Sequence, residues 1–117
     1  MTISKELVGA TFRPLVLSLL SDGDSYGYDI IQRMKQESEG KLVWKDGSLY
    51  PVLHRMEDEG TIASYWVTTD AGRRRKYYRI TDDGVRQLDQ EKMQWIHMDS
   101  IFTRLWDLPP RMTPAGA

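Results

Sequence analysis

Apolar residues recur at helical spacing from Ile3 to Leu20, at Leu7, Val8, Phe12, Leu15, Val16, Leu19 and Leu20, which predicts a first helix. Pro14 complicates it, because a proline inside a helix removes one backbone hydrogen bond and crowds the preceding turn. Either the helix kinks there, or Thr11 caps a fresh start with Pro14 in its first turn. Ser21-Asp22-Gly23-Asp24-Ser25 supplies turn residues. Ser25 is suited to cap a second helix running to about Glu39, with Tyr26, Ile30, Ile31 and Met34 as its buried stripe. A third helix follows the loop from Gly40 to Gly47, and its apolar positions Leu49, Val52, Leu53 and Met56 lie on one face. Ser48 as N-cap would put Pro51 in the first turn, where amide hydrogens have no helical partner. Gly60 is suited to the left-handed residue that closes the helix.

Beyond Gly60 the period changes. Thr61 to Thr69 and Lys76 to Ile80 are rich in β-branched and aromatic residues and flank the turn Asp70-Ala71-Gly72-Arg73, which predicts a hairpin. An isolated hairpin is marginal, so it must lie against the helices. Thr81 is then suited to cap a long fourth helix, with Asp82 and Asp83 in the first turn, where negative charge favours the helix dipole. Pro109 and Pro110 should end it near Leu108, leaving residues 109–117 as a flexible tail. Three short helices followed by a hairpin is the order of a winged helix-turn-helix, whose third helix enters the DNA major groove while the wing touches the backbone beside it. The predicted fold class is thus mainly α with a small β-hairpin, the winged head occupying residues 1–80.

Composition and charge sharpen this picture. At 117 residues, with 40% hydrophobic and 28% charged residues, the chain suits one compact domain and excludes a large multidomain enzyme. There is no cysteine, so disulfides and thiolate chemistry are excluded. The stretch from Leu15 to Leu20 is far short of a membrane span, and no basic leader precedes it, so a cytoplasmic location with no membrane partner is expected. The net charge of −1 hides an asymmetry: residues 1–40, 41–80 and 81–117 carry −2, +3 and −2. Arg73, Arg74, Arg75 and Lys76 form the densest cluster, at the expected hairpin tip, where cations would neutralise DNA phosphates. On the third helix, the face opposite the apolar stripe offers Ser48, Tyr50, His54, Arg55 and Asp58. Ser, His and Arg can donate to base edges or phosphates, and a Tyr ring can lie on a sugar or a thymine methyl, whereas Asp58 fits a solvated surface.

Three segments, SYGYDI at 25–30, GSLYPVLHRMEDEGTI at 47–62 and RRRKYYRIT at 73–81, occur in this order and spacing. In them the chain resembles the PadR family of bacterial transcriptional regulators, particularly the small, LmrR-like branch with a single C-terminal helix. The resemblance extends from about Ile3 to Leu108 and implies a dimeric repressor that binds a palindromic operator and is released by a small molecule. It implies DNA-contact roles for Ser48, Tyr50 and Pro51 at the start of the recognition helix. It implies the same for Tyr26 and Tyr28 at the opening of the second helix, and for Gly72 to Lys76 in the wing.

In the fourth helix Leu88, Trp95 and Phe102 recur every seven residues, with Met98 and Leu105 three residues after the last two, a seam interrupted by Glu91. A lone helix of this length cannot bury such a seam on a small head, so a homodimer formed by residues 81–108 is expected; the alternative is packing back on its own domain. The resemblance implies that Trp95 stacks on a planar aromatic or cationic effector between subunits, an interaction that needs no fixed hydrogen bonds. Met98 borders that position, and Asp99, one turn on, either attracts a cation or is simply solvated. The resemblance places that effector in a pore between the subunits, which bulky Met98, Phe102 and Trp106 would close if the two helices approach closely. His54 and His97 show no metal-ligand spacing, and no phosphate-cradling loop or nucleophile elbow occurs, so neither a catalytic residue, a metal nor a cofactor is expected. The alternatives to an effector-released repressor are a dimeric protein-interaction module and a regulator without a ligand-sensing pore.

Overall fold

The computed structural model describes residues 2–109, so the expected tail lies, beyond Pro109, outside the described residues. Helix α1 (Lys5–Ser21) starts at Ser4, whose side chain accepts the Leu7 N–H. It runs without interruption through Pro14, so the helix does not restart at Thr11. The Thr11 hydroxyl instead donates back to the Leu7 and Val8 carbonyls at 3.0 Å each, as an interior helix residue does.

Ser25 caps no helix. It pairs with Tyr78 in a two-residue strand β1 (Ser25–Tyr26), and its hydroxyl donates to Asp29 rather than receiving a helix amide. Helix α2 (Gly27–Glu37) therefore begins after Tyr26, without a side-chain cap, and ends two residues before Glu39. Glu39 and Gly40 both take positive φ, 54° and 80°, which turns the chain out of the helix. Of the expected stripe, Ile30, Ile31 and Met34 are buried, while Tyr26 is half-buried on the strand.

Helix α3 (Asp46–Asp58) opens at Lys45, three residues earlier than Ser48 would allow. The Lys45 carbonyl already accepts the Ser48 and Leu49 amides, so Ser48 is the third helical residue and Pro51 the sixth. The proline is tolerated there on an exposed face. Gly60, at φ 83°, closes the helix as expected: its N–H donates to the Glu57 carbonyl and the Thr61 N–H to that of Met56, the paired bonds of a Schellman turn.

Strands β2 (Ile62–Thr68) and β3 (Arg74–Ile80) pair antiparallel from Ile62↔Ile80 to Thr68↔Arg74, and β1 adds to the far side of β3, giving the order β1-β3-β2. Helix α4 (Asp82–Leu105) starts at Thr81, whose hydroxyl accepts the Gly84 N–H and donates to the Gly60 carbonyl. It stops three residues before Leu108, where Asp107 adopts φ 52° and the Leu108 N–H caps the Thr103 carbonyl.

The core joins Phe12, Val16, Leu17 and Leu20 of α1 to Ile30 and Met34 of α2, Leu49, Leu53 and Met56 of α3, Ile62 and Tyr78 of the sheet, and Leu88 of α4. Each such large side chain contributes about 1.5–3 kcal/mol by leaving water. Trp44, in the loop before α3, is also buried and stacks on Phe12 at 4.5 Å between centroids. No helix among the described residues is long and apolar enough to cross a membrane. The radius of gyration, 16.0 Å, exceeds the about 13 Å of a compact chain this long, because α4 runs on past the head.

The start of α4 lies so close to the hairpin base that a Cβ on Gly84 would collide with the Thr61 carbonyl oxygen and the Ile80 side chain. Gly84→Ala should therefore destabilise the fold by about 1–3 kcal/mol, as overpacking does. Gly9→Ala, inside α1 with open space around it, should stabilise by about 0.5–1 kcal/mol. Denaturant midpoints compare them, and equal shifts would contradict the close approach.

Candidate nucleic-acid interface

The exposed side of α3 meets the wing across a groove of about 510 Å³. Tyr26, Tyr28, Tyr50 and His54 line it together with Trp66, Arg74, Arg75 and Lys76 of the wing. Tyr50 reaches this position because Gly27 lies beneath its phenol; any Cβ at residue 27 would run into the ring. Tyr26 reaches it because β1 pairs Tyr26 with Tyr77, whose rings meet at 5.3 Å. The sequence placed these groups on separate elements, and the short strand brings them together.

The four wing cations are not equivalent. Arg73 is the last residue of the turn, where Gly72 takes φ 81° and the Thr69 N–H donates to the Arg73 carbonyl. Arg74, Arg75 and Lys76 open β3, and strand alternation sends successive side chains to opposite faces. The Arg74 guanidinium lies 4.6 Å from the Trp66 ring centroid, and that of Arg75 lies 4.6 Å from that of Tyr26. Stacking holds these cations in place while leaving their N–H edges for an anion. Lys76 is different: its Nζ lies 3.7 Å from Glu57 of α3 and 5.6 Å from the Tyr78 ring centroid.

Glu57 also accepts the Ser64 hydroxyl of β2. That bond, with the Lys76 charge, holds its carboxyl below the usual glutamate range against a smaller opposing effect of burial. Burial pushes the Tyr78 phenol up, aided by the Glu57 charge, so the phenol is neutral at physiological pH. Tyr65, stacked on Tyr77, donates to Asp24 at 2.5 Å, and this bond to a carboxylate raises its pKa.

The remaining predicted contacts are distributed more widely. Ser48 and Pro51 are exposed on α3, outside the groove lining. Arg55, about 100° around the helix from His54, is also exposed but turns toward α1 and α4, lining a cavity of about 170 Å³ with Arg13, Val52 and Glu91. Trp66, Glu57 and the Tyr65–Asp24 contact are additions that the sequence reading missed. Cross-strand register carried the signal, since Trp66 stands opposite Lys76 and one step diagonally from Arg74.

On α4 the expected seam divides. Leu88 is buried in the chain's own core, at 4% exposure, whereas Trp95, Met98, Phe102 and Leu105 are exposed. Trp95, Leu88 and Lys92 of α4, with Pro14 and Leu15 of α1, line a mostly apolar cavity of about 290 Å³. Met98 and Asp99 lie outside that lining.

The fold is similar to that of known regulators. Residues 16–90 match the transcriptional regulator PadR-like family. A transcriptional regulator from Clostridium thermocellum is 32% identical and superposes with a TM-score of 0.80, over 88% of this chain and 97% of that one. A PadR family transcription regulator from Clostridium difficile is 33% identical with a TM-score of 0.71, over 82% and 98% of the two chains. The negative transcriptional regulator PadR of Bacillus subtilis is 33% identical over 73 residues, which is 62% of this chain and 40% of that longer protein. A match that runs from the end of α1 through the recognition helix and wing into α4 rests on no single motif: the chain belongs to the PadR-like family of transcriptional regulators.

Proposed function

We propose that the protein is a homodimeric repressor that binds an inverted-repeat operator and is released by a small molecule. The observation that carries this reading is the groove in which α3, the opening of α2 and the wing present Tyr26, Tyr28, Tyr50, His54 and stacked arginines as one surface. Residues 1–80 form the DNA-binding head, with Ser48, Tyr50, Pro51 and His54 of α3 at the major groove and Gly72 to Arg75 beside the backbone, while Arg55 faces α1 and α4 instead. Residues 81–108 join two heads, and the exposed apolar face from Trp95 onward supports that role. Repression is supported by the name of the Bacillus subtilis relative, a negative regulator.

Release requires an effector that favours a head spacing unsuited to DNA. The cavity beside Trp95 supplies an aromatic wall, and a partner subunit would bring its own. Lys92 in that lining, with Asp99 outside it, makes the planar aromatic face the recognised feature rather than a positive charge. Trp95→Ala should spare dimerisation and weaken binding of a planar aromatic dye by about 10-fold or more, the cost of a lost stacking wall. Tryptophan quenching and light scattering measure the two effects, and full retention of dye affinity would remove Trp95 from the site.

Fluorescence anisotropy against duplexes tiling the DNA upstream of the protein's own gene, with a scrambled control, tests the whole reading. Saturable binding to one inverted repeat, with weaker binding to the control, is expected. Equal binding to every duplex would instead favour a dimeric interaction module.

A further inference from the structure

Among the wing cations Lys76 stands apart, and the reason lies in Glu57. The Glu57 side chain leaves the last turn of α3, half-buried, and its two oxygens reach different strands: one accepts the Ser64 hydroxyl of β2 and the other faces Lys76 Nζ of β3. Ser64 and Lys76 are diagonal neighbours on adjacent strands, since Ser64 pairs with Tyr78 and Trp66 with Lys76. A single carboxylate therefore bridges the recognition helix to both strands of the wing. Lys76 has an apolar wall as well, the buried Tyr78 ring at 5.6 Å. Among the described residues no carboxylate pairs with Arg73, Arg74 or Arg75.

We infer that Glu57 is a positioning residue that sets the wing against the recognition helix, and that Lys76 is its tether rather than a phosphate contact. The inference rests on the DNA-binding reading above. Base contacts by α3 and phosphate contacts by the wing form together only if the angle between them matches the duplex. The carboxylate fixes that angle before DNA arrives. Glu57 is charged at neutral pH as an ordinary glutamate is, and its lowered pKa extends the attraction toward acid, to be lost as pH falls through that lowered value.

Log affinity against log salt, for the operator and a scrambled duplex, separates a tether from a phosphate contact. Arg74→Ala should flatten the slope by about 0.9, the signature of one lost phosphate contact. Lys76→Ala and Glu57→Gln should leave the slope unchanged and lower the ratio of operator to scrambled affinity by roughly fivefold. The swapped pair Glu57→Lys with Lys76→Glu should restore the ratio, which a merely structural loss would not permit. A slope that flattens for Lys76→Ala as it does for Arg74→Ala, or a swap that rescues nothing, would overturn the inference. A wild-type protein that binds no duplex would refute the DNA reading instead, and the tether would then be judged without DNA. Amide hydrogen exchange along β2 and β3 should quicken in Glu57→Gln and slow again in the swap, and unchanged exchange would reject it.

Discussion

Replacing Arg73, Arg74 and Arg75 together by alanine is expected to flatten the salt dependence of DNA binding by about 2.7 in the slope of log affinity against log salt. Each arginine that neutralises a phosphate releases condensed counterions, and the free energy of that release depends on bulk salt. Between 50 and 200 mM salt those three contacts account for roughly 40-fold in affinity. Operator and scrambled duplex should lose affinity in parallel, because phosphate contacts position the protein without reading bases. The stacking on Trp66 and Tyr26 lets the arginines pay little entropy on binding, so lysine at positions 74 and 75 should recover the slope but not all of the affinity. Anisotropy titrations at four salt concentrations measure both quantities. An unchanged slope would remove the wing from the interface.

That surface was only partly visible in the chain. The run of four cations is a property of composition and needs no structure to find. What each cation does depends on strand alternation and cross-strand register, which place Arg74 on Trp66, Arg75 on Tyr26 and Lys76 against Glu57. Arg55 is instructive: its neighbour His54 faces the groove, and one residue of helix turns Arg55 toward α1. Helical spacing alone places a residue on a face, but which face the wing occupies depends on how α3 packs.

The elements were recovered best where one residue type has a single physical reason to be present. Gly60 supplies a left-handed closure and Thr81 a side-chain acceptor at a helix start, and both act as expected. Ser25 and Ser48 are equally good caps by type, yet neither serves as one, because β1 claims Ser25 and Lys45 opens α3 earlier. The strand β1 has two residues, too few for any periodicity, and is created by its partner β3. Trp44 lay in the loop before α3, in an apolar run of three residues too short for any periodicity, although its stacking on Phe12 anchors that loop to α1.

Phe102→Asp is expected to convert the protein to a monomer and to lower operator affinity far more than scrambled-duplex affinity. The head buries Gly84 and Leu88 in the first part of α4, but among the described residues Met98, Phe102, Leu105 and Trp106 past Trp95 remain exposed. Phe102 and Trp106 stack at 4.6 Å and form an aromatic ledge at the end of a 24-residue helix. In a two-fold dimer every substitution enters the interface twice. An unpaired carboxylate buried there costs about 3–5 kcal/mol per copy, so the dimer should weaken by at least about 10⁴-fold. The two recognition helices would then bind their half-sites independently and lose the about 10²- to 10⁴-fold gain that linkage gives. The head should fold normally, because Phe102 lies outside its core. Leu88→Ala provides the contrast: it empties core volume and should cost about 2–5 kcal/mol of stability without separating subunits. Light scattering, thermal unfolding and anisotropy on the two variants distinguish an interface residue from a core residue. A Phe102→Asp protein that remains dimeric with full operator affinity would place the interface elsewhere.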